Sequence, residues 1–276
     1  MNQNLFTYLY PGAFVFDLEY VGHSTDLNDC YIWEIGIIHL QSCRQFNITV
    51  DPGIRPLPKP FSADFEPLTE EKLTDAVPFH LAWTCMLNWI NSCVKHNTPL
   101  LWIAHNCFKA DKVMFEVETK RHKMSIPLNW YFFDTLIYCR IMIPKLPSYT
   151  LSDVYYTLMN KPIDSAHEAL SDAISLSMIL RKIGLDRMSG PIYPVHSTSL
   201  QVVKWLGPSC EKFLFTNNIY SLEHLITYLR SEYSKQILSG VHFKLRDFVV
   251  LKLNNLGIKE GNSISIADSL IQKWIL

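Results

Sequence analysis

Three apolar runs within the first fifty residues, AFVFDLEY (13–20), YIWEIGIIHL (31–40) and QFNITV (45–50), limit what this chain can fold into more than any other feature. Each is rich in β-branched and aromatic residues, and polar turn formers part the first two, so the segment reads as a three-stranded meander. A proline-rich connection, DPGIRPLPKPFSADFEP, follows, and then the period changes. Phe79, Trp83, Met86, Leu87, Ile90 and Val94 fall at helical spacing and predict one amphipathic helix. Further along, strands are expected at 99–104 (PLLWIA) and 130–134 (WYFFD), and helices at 111–121, near 149–160 and at 166–183. The last of these carries Ala169, Ala173, Leu176 and Leu180 on one stripe. Strands first, then strands alternating with helices, predict an α/β domain with a mixed sheet covered by helices.

The stretch GLDRMSGPIYPVHS (184–197) concentrates Gly and Pro and reads as a linker. The tail beyond it is expected to be all-helical, with Leu222, Leu225, Ile226 and Leu229 on one stripe and Ala267, Leu270, Ile271 and Trp274 on another. The expected domains are therefore 1–186, a linker at 187–198, and a small helical domain at 199–276. With 276 residues and 48% apolar content, the chain has enough material for both cores.

Charge narrows the function. The net charge of −1 conceals 16 Lys+Arg against 20 Asp+Glu in residues 1–195, and 9 against 6 in 196–276. This is not the strong positive field of a tight, non-specific nucleic-acid binder, so any nucleic acid would be held locally. Seven cysteines, an odd number without a CxxC pair, suit reduced thiols in a cytoplasmic or nuclear protein better than a disulfide framework or a zinc site. The first residues, MNQNLFTYLYPG, lack a basic leader, and no run approaches the ~20 apolar residues of a membrane span. A signal peptide and a membrane anchor are not expected.

Two acids interrupt the first apolar run. On a strand, residues i and i+2 share a face, so Asp17 and Glu19 project together while Phe16 and Leu18 face the other way. Paired carboxylates repel unless a cation lies between them, and a hard divalent ion accepts oxygen ligands while leaving positions for a phosphate. Taken alone, D-x-E is more simply an exposed strand end. HNCFKAD, however, places Asp111 at the start of a helix, and SAHEALSDAISL puts His167 five residues before Asp172 beside an apolar helical stripe. An acid close to such a stripe is destabilising unless it finds a partner or a metal.

Taken together, these segments resemble the DEDDh (DnaQ-like) 3′-to-5′ exonucleases over residues 13–184. FDLEY followed by WEIGI (33–37) is similar to the family's first motif, AHNCFKAD (104–111) to its second, FDT (133–135) to a common companion, and SYTLSDVYYTLMNKPIDSAHEALSDA (148–173) to its third, with H-x4-D spacing. The resemblance implies an RNase H-like mixed five-stranded sheet flanked by helices. It also implies catalytic roles for Asp17, Glu19, Asp111, His167 and Asp172, with the four acids holding two divalent metal ions, Mg²⁺ or Mn²⁺. In the two-metal mechanism so implied, His167 acts as general base and nucleoside 5′-monophosphates leave from single-stranded or unpaired 3′ ends of RNA or DNA. Leu18, Tyr20 and Asn106 are the expected substrate contacts, Leu18 as a surface for base stacking.

The chain departs from the family at Tyr20-Val21-Gly22, where T-T-G is common, and at Ala110, where an aromatic often stands; neither removes a metal ligand. Ser165 and Glu168 could form a capping box that puts His167 in the first helical turn. There i and i+5 lie ~140° apart and would not face one another. The family holds this His on a loop before the helix, and the same is expected here.

Lys109, Lys112, Lys120, Arg121 and Lys123 cluster after the second motif, and a solvated helix face explains them more simply than a strip that tracks a nucleic-acid backbone. Residues 202–276 resemble a sterile alpha motif (SAM) domain, in VVKWLGPSCEKFLFTNNIYSLEHLITYL and LNNLGIKEGNSISIADSLIQKW. A helix-hairpin-helix at LGPS is the rival reading, without its paired glycines. The SAM resemblance implies self-association, a protein partner or RNA binding. Two functions follow: a 3′-to-5′ exonuclease with a recruiting module, or a nuclease-like scaffold that binds single strands without cleaving them. Scaffolds of that kind usually lose acids, whereas all five positions are filled here. No motif selects RNA over DNA.

Overall fold

The computed structural model of the chain describes residues 9–22, 26–58 and 67–184, and most positions between 192 and 272. It divides into two compact units, Met1–Gly190 and Pro191–Leu276. Residues 187–191, 196 and 198 of the expected linker, and Trp274 of the last expected stripe, lie outside the described residues.

In the first unit, β1 (Ala13–Gly22), β2 (Cys30–His39) and β3 (Gln45–Asp51) form the expected antiparallel meander. β4 (Val77–Pro78) adds a two-residue edge to β3, too short to leave a periodic trace in the sequence. β5 (Leu100–Ala104) runs parallel to β1, and β6 (Trp130–Asp134) parallel to β5. The order within this unit is β4-β3-β2-β1-β5-β6. Every residue of β5 is buried, as its unbroken apolar run requires of a parallel strand flanked on both sides.

Side-chain parity divides the sheet into two faces. Phe16 shares one face with Trp102, Trp130 and Phe132, against which Trp83 of α1 (Phe79–Cys93) and Phe115 of α2 (Asp111–Arg121) pack. The rings interlock: Phe16 stacks on Phe115 at 5.2 Å and Trp102 meets Trp130 at 4.3 Å between centroids. Aromatic pairs add to area burial here, which makes this the rigid side of the unit. α3 (Thr135–Met142), which helical spacing did not reveal, starts where Asp134 accepts a hydrogen bond from Leu136 N. α4 (Leu151–Met159) is capped by Thr150, and Asn160 closes it in the left-handed region at φ 55°.

α5 (Ala169–Ile183) covers the opposite face, burying the predicted stripe Ala169, Ala173, Leu176 and Leu180. Its first turn lies against Gly36 of β2. A Cβ at residue 36 would come within 2.2 Å of Ala169 C and Leu170 N, which are backbone atoms that cannot rotate aside.

The second unit contains α6 (Leu222–Leu238), α7 (Leu245–Asn255) and α8 (Glu260–Leu270). Leu222, Leu225 and Leu229 join Phe248, Leu253 and Leu270 in its core. Glu232 accepts hydrogen bonds from Lys235 and, across to α7, from Lys252, and together they hold its carboxyl down at about 2. Arg246 grips Asp268 of α8 with two nitrogens. None of the seven cysteines is joined in a disulfide. Among the described residues no helix is long and apolar enough to cross a membrane.

Gly36→Ala tests the helix–sheet contact. Overpacking against backbone should destabilise the chain by about 1–3 kcal/mol or more, read as a lower thermal midpoint. An unchanged midpoint would mean that α5 does not bear on β2.

Candidate active site

Asp17 and Glu19 stand on the α5 side of β1, half-buried, opposite Gly36 and Glu34 of β2. The third acid comes from the other side of the strand order. Asp111 is the first residue of α2, buried, and its Oδ1 accepts a hydrogen bond from Leu18 N at 3.1 Å. The backbone amide between the first two acids thus fixes the third.

Asp134 holds the loop that delivers Asp111. Its Oδ1 accepts from Asn106 N at 3.0 Å and its Oδ2 from Phe108 N at 3.3 Å, besides the α3 cap. Burial pushes this carboxyl up to about 6 against the pull of those three amides. His105 secures the start of the loop, with Nε2 2.8 Å from the Tyr149 carbonyl and Nδ1 3.0 Å from Thr135 Oγ1. The carbonyl requires the proton on Nε2, and burial lowers the imidazole to about 4, so His105 is neutral.

Glu34 holds the other side. Its Oε2 accepts from Ala169 N, a first-turn amide of α5 that no helical carbonyl can reach, and its Oε1 accepts from Asn47 Nδ2, both at 3.0 Å. One turn later α5 presents Asp172, whose Oδ2 accepts from His167 N at 3.3 Å. His167 is exposed and lies before the helix at φ 69°, with Ser165 also left-handed at φ 52°. The capping box does not form: Glu168 is the N-cap and makes no side-chain cap bond. The loop position expected for His167 is the one observed.

The structure therefore gathers Asp17, Glu19, Asp111, Asp172 and His167. One ligand atom from each of Glu19, His167 and Asp172 lies within 4.8 Å of the other two. Leu18, expected as a stacking surface, is 4% exposed, and what it offers is its amide. Tyr20 is half-buried, its hydroxyl held neutral by burial and by Asp111, Cys30, Asp17 and Glu19. Asn106 sits at φ 63° and gives its amide to Asp134.

The acids are uneasy together. Burial, then Asp111, Glu19, Asp172 and Glu34, raise Asp17 well above the usual carboxylate range. Burial, then Asp172, Glu34 and Asp111, push Glu19 up to about 8, opposed by Lys72. Asp111 is pushed up to about 8, by burial first, although two amides pull it down. Asp172 is raised by burial, and its Oδ1 is buried without a hydrogen-bond partner. Four hard oxygen donors, mutual repulsion and an orphaned buried oxygen fit a divalent cation.

Sequence reasoning missed Glu34, Asp134 and His105 as parts of the site. Each lies within a motif that resemblance had picked out, yet a strand acid, a cap and a buried histidine carry no mark of the amide they will hold.

A mixed sheet flanked by helices, with four acids converging from a strand and two helix starts, defines a nuclease of RNase H-like fold. Residues 14–180 match the family model RNase_T, described as exonuclease, and the chain belongs to that family. No curated protein sequence matches it significantly. Among solved structures it is similar to the nuclease domain of 3′hExo, a DEDDh family member, bound to rAMP (TM-score 0.51, 13% identity, 63% of this chain and 93% of that one). It is also similar to a 3′-exonuclease in 3′-end specific recognition of histone mRNA stem-loop (0.52, 13%, 63% and 64%). A third is cell-death related nuclease 4, CRN-4 (0.51, 15%, 62% and 62%). These likenesses show the fold, and family membership implies divalent metal ions.

Two predictions follow from the geometry. Carboxyls raised in the folded state bind protons that the unfolded chain, with values near ~4, releases. Their contribution to stability is therefore fully present below ~4 and is lost as pH rises through the folded values of about 8 for Glu19 and Asp111. In EDTA the thermal midpoint should fall between pH ~5 and ~8, and added Mg²⁺ or Mn²⁺ should raise it more at the upper end; a flat profile would contradict the buried acids. Glu34→Ala should destabilise by about 1–3 kcal/mol, leaving the Ala169 amide unpaired, and should weaken Mn²⁺ binding measured by calorimetry. Glu34→Gln, which keeps an acceptor, should recover most of both.

Proposed function

We propose that the chain is a metal-dependent 3′-to-5′ exonuclease that releases nucleoside 5′-monophosphates from single-stranded or unpaired 3′ ends of RNA or DNA. The observation that carries this reading is the convergence of Asp17, Glu19, Asp111 and Asp172, with a buried Asp172 oxygen that has no hydrogen-bond partner. These residues would hold two divalent ions, Mg²⁺ or Mn²⁺, which when bound supply an activated water and charge stabilisation at the scissile phosphate and the departing 3′ oxygen.

The chain's own groups do the rest. His167, on its exposed loop and near Glu19 and Asp172, takes the proton of the attacking water at its imidazole. The bond from its amide to Asp172 fixes the distance between base and acid. As water oxygen joins phosphorus, the bond to the 3′ oxygen breaks and that oxygen takes a proton from solvent, leaving a 3′ hydroxyl on the shortened strand and a 5′ phosphate on the released nucleotide. Tyr20, kept neutral, has a hydroxyl proton to donate to the terminal nucleotide.

The proposed domains are 1–186 for the nuclease and 199–276, joined by 187–198, for a SAM-like module that recruits nucleic acid or a protein partner. The cores of the second unit and its helices α6 to α8 support a separate helical module.

Incubating the full chain with end-labelled single-stranded RNA and DNA of one sequence, in Mg²⁺, Mn²⁺ or EDTA, tests the reading. Stepwise shortening from the 3′ end is expected with metal only, and Asp17→Ala should lower its rate ~10³-fold or more. A folded chain that cleaves neither polymer in either metal would be a nuclease-like scaffold instead.

A further inference from the structure

The ladder between β1 and β2 carries a bulge beside the acids. Glu19 pairs with Glu34 and Tyr20 with Ile32, so Trp33 is the extra residue. A bulge bends its strand and re-aims a side chain, and here it interrupts the alternation next to Glu34. The Trp33 indole is half-buried, packed against the cluster of Val21, Leu68 and Leu73. Over it lies Lys72, whose Nζ is 5.9 Å from the ring centroid.

Lys72 is presented by a built turn. Leu73 N donates to Glu70 O, Thr74 N and Oγ1 both donate to Glu71 O, and Ala76 N donates to Leu73 O. Leu73 is buried, and Arg55 bridges Glu70 of this turn to Asp51 at the end of β3. The ammonium is exposed, and its charge is felt at Glu19, where it opposes the neighbouring acids.

The carboxylates and their ions account for the scissile phosphate but offer nothing to the next base. Proteins that hold single strands combine an aromatic face, which accepts any base, with a cation for the backbone. We propose that Trp33 and Lys72 form a subsite for the nucleotide adjoining the terminal one. The indole stacks its base, and the ammonium swings on its flexible stem from the ring to the phosphate. This inference rests on the nuclease reading and specifies how the site holds a polymer rather than a mononucleotide.

Binding of 5′-fluorescein-labelled single-stranded oligo-dT and oligo-U of about twelve nucleotides, followed by anisotropy in Ca²⁺, tests it on the full chain. Trp33→Leu should weaken binding about 5- to 100-fold and Trp33→Phe much less. Lys72 is exposed, so Lys72→Ala should fold normally, weaken binding several-fold and lower the slope of log affinity against log salt by about 0.7. Lys120→Ala, an exposed lysine near the end of α2, should change neither. An unaltered affinity and slope in Lys72→Ala, an equal loss in Lys120→Ala, or no binding by the full chain would overturn the subsite. Hydrolysis of thymidine 5′-p-nitrophenyl phosphate by the unsubstituted chain reports the chemistry separately. Binding weakened by Trp33→Leu and Lys72→Ala as stated, but with no hydrolysis, would strike the nuclease reading and leave Trp33 and Lys72 as contacts to a single strand only.

Discussion

The first turn of α5 lies so close to β2 that residue 36 has no room for a side chain, and Glu34, two residues earlier, accepts the Ala169 amide that heads the helix. Backbone contact and a buried charge-assisted hydrogen bond together fix the height and the rotation of α5 on the sheet. Asp172 follows one turn later and His167 is tied to Asp172, so the acid and the proposed base inherit their positions from this one contact. An ordinary side chain at residue 36 would lift the helix and separate Asp172 from the β1 acids. The E-I-G spelling of β2 thus belongs to the site although neither Glu34 nor Gly36 is among the proposed metal ligands.

Holding four carboxylates together requires rigid support, because burial and mutual repulsion both work against their ionised forms. The support is mostly backbone amides, which neither titrate nor move far. Leu18 N holds Asp111, the amides of Asn106 and Phe108 hold Asp134, and His167 N holds Asp172. Behind them the ring stack of Phe16, Trp102, Phe115 and Trp130 keeps β1, β5, β6 and α2 from sliding. The proposed base, His167, sits instead on the loop before α5, tied by its own amide to Asp172. Rigid acids on strand and helix starts, with the base on a loop, is the division such a mechanism needs.

Much of this was legible in the sequence. Runs rich in β-branched and aromatic residues gave β1 to β3, the stripes of α1 and α5 were correctly spaced, and α2 runs over the span expected, 111–121. The acids were found by their order along the chain. What escaped were features whose meaning lies in a partner far away. Glu34 and Ala169 are 135 residues apart, and Asp134 and Asn106 28 apart, so no local pattern announces either bond. α3 escaped because TLIYCRIM follows a strand without a break and is capped by the strand's own last residue. Leu18 was expected to offer an apolar surface for base stacking, but the parity that turns Asp17 and Glu19 toward α5 buries Leu18 on the other side.

The same parity bears on how a polymer is held. The four lysines and one arginine after the second motif read most simply in sequence as a solvated helix face, yet two of the five are absorbed by the fold. Lys112 is buried against Phe132 and paired with Glu116. Arg121 lies 3.9 Å over Tyr31 and is bound to Glu118 and to the carbonyls of Asn28 and Cys30. With 16 basic against 20 acidic residues in the first 195, long-range attraction is weak and cannot orient a strand. In the proposed subsite affinity would come from short-range contacts beside the acids, where stacking works at any salt concentration and one lysine adds only a shallow dependence on it. On the proposed function, a nuclease that holds its substrate this way would engage an end that is already single-stranded and would release it readily, unless another part of the chain retains it.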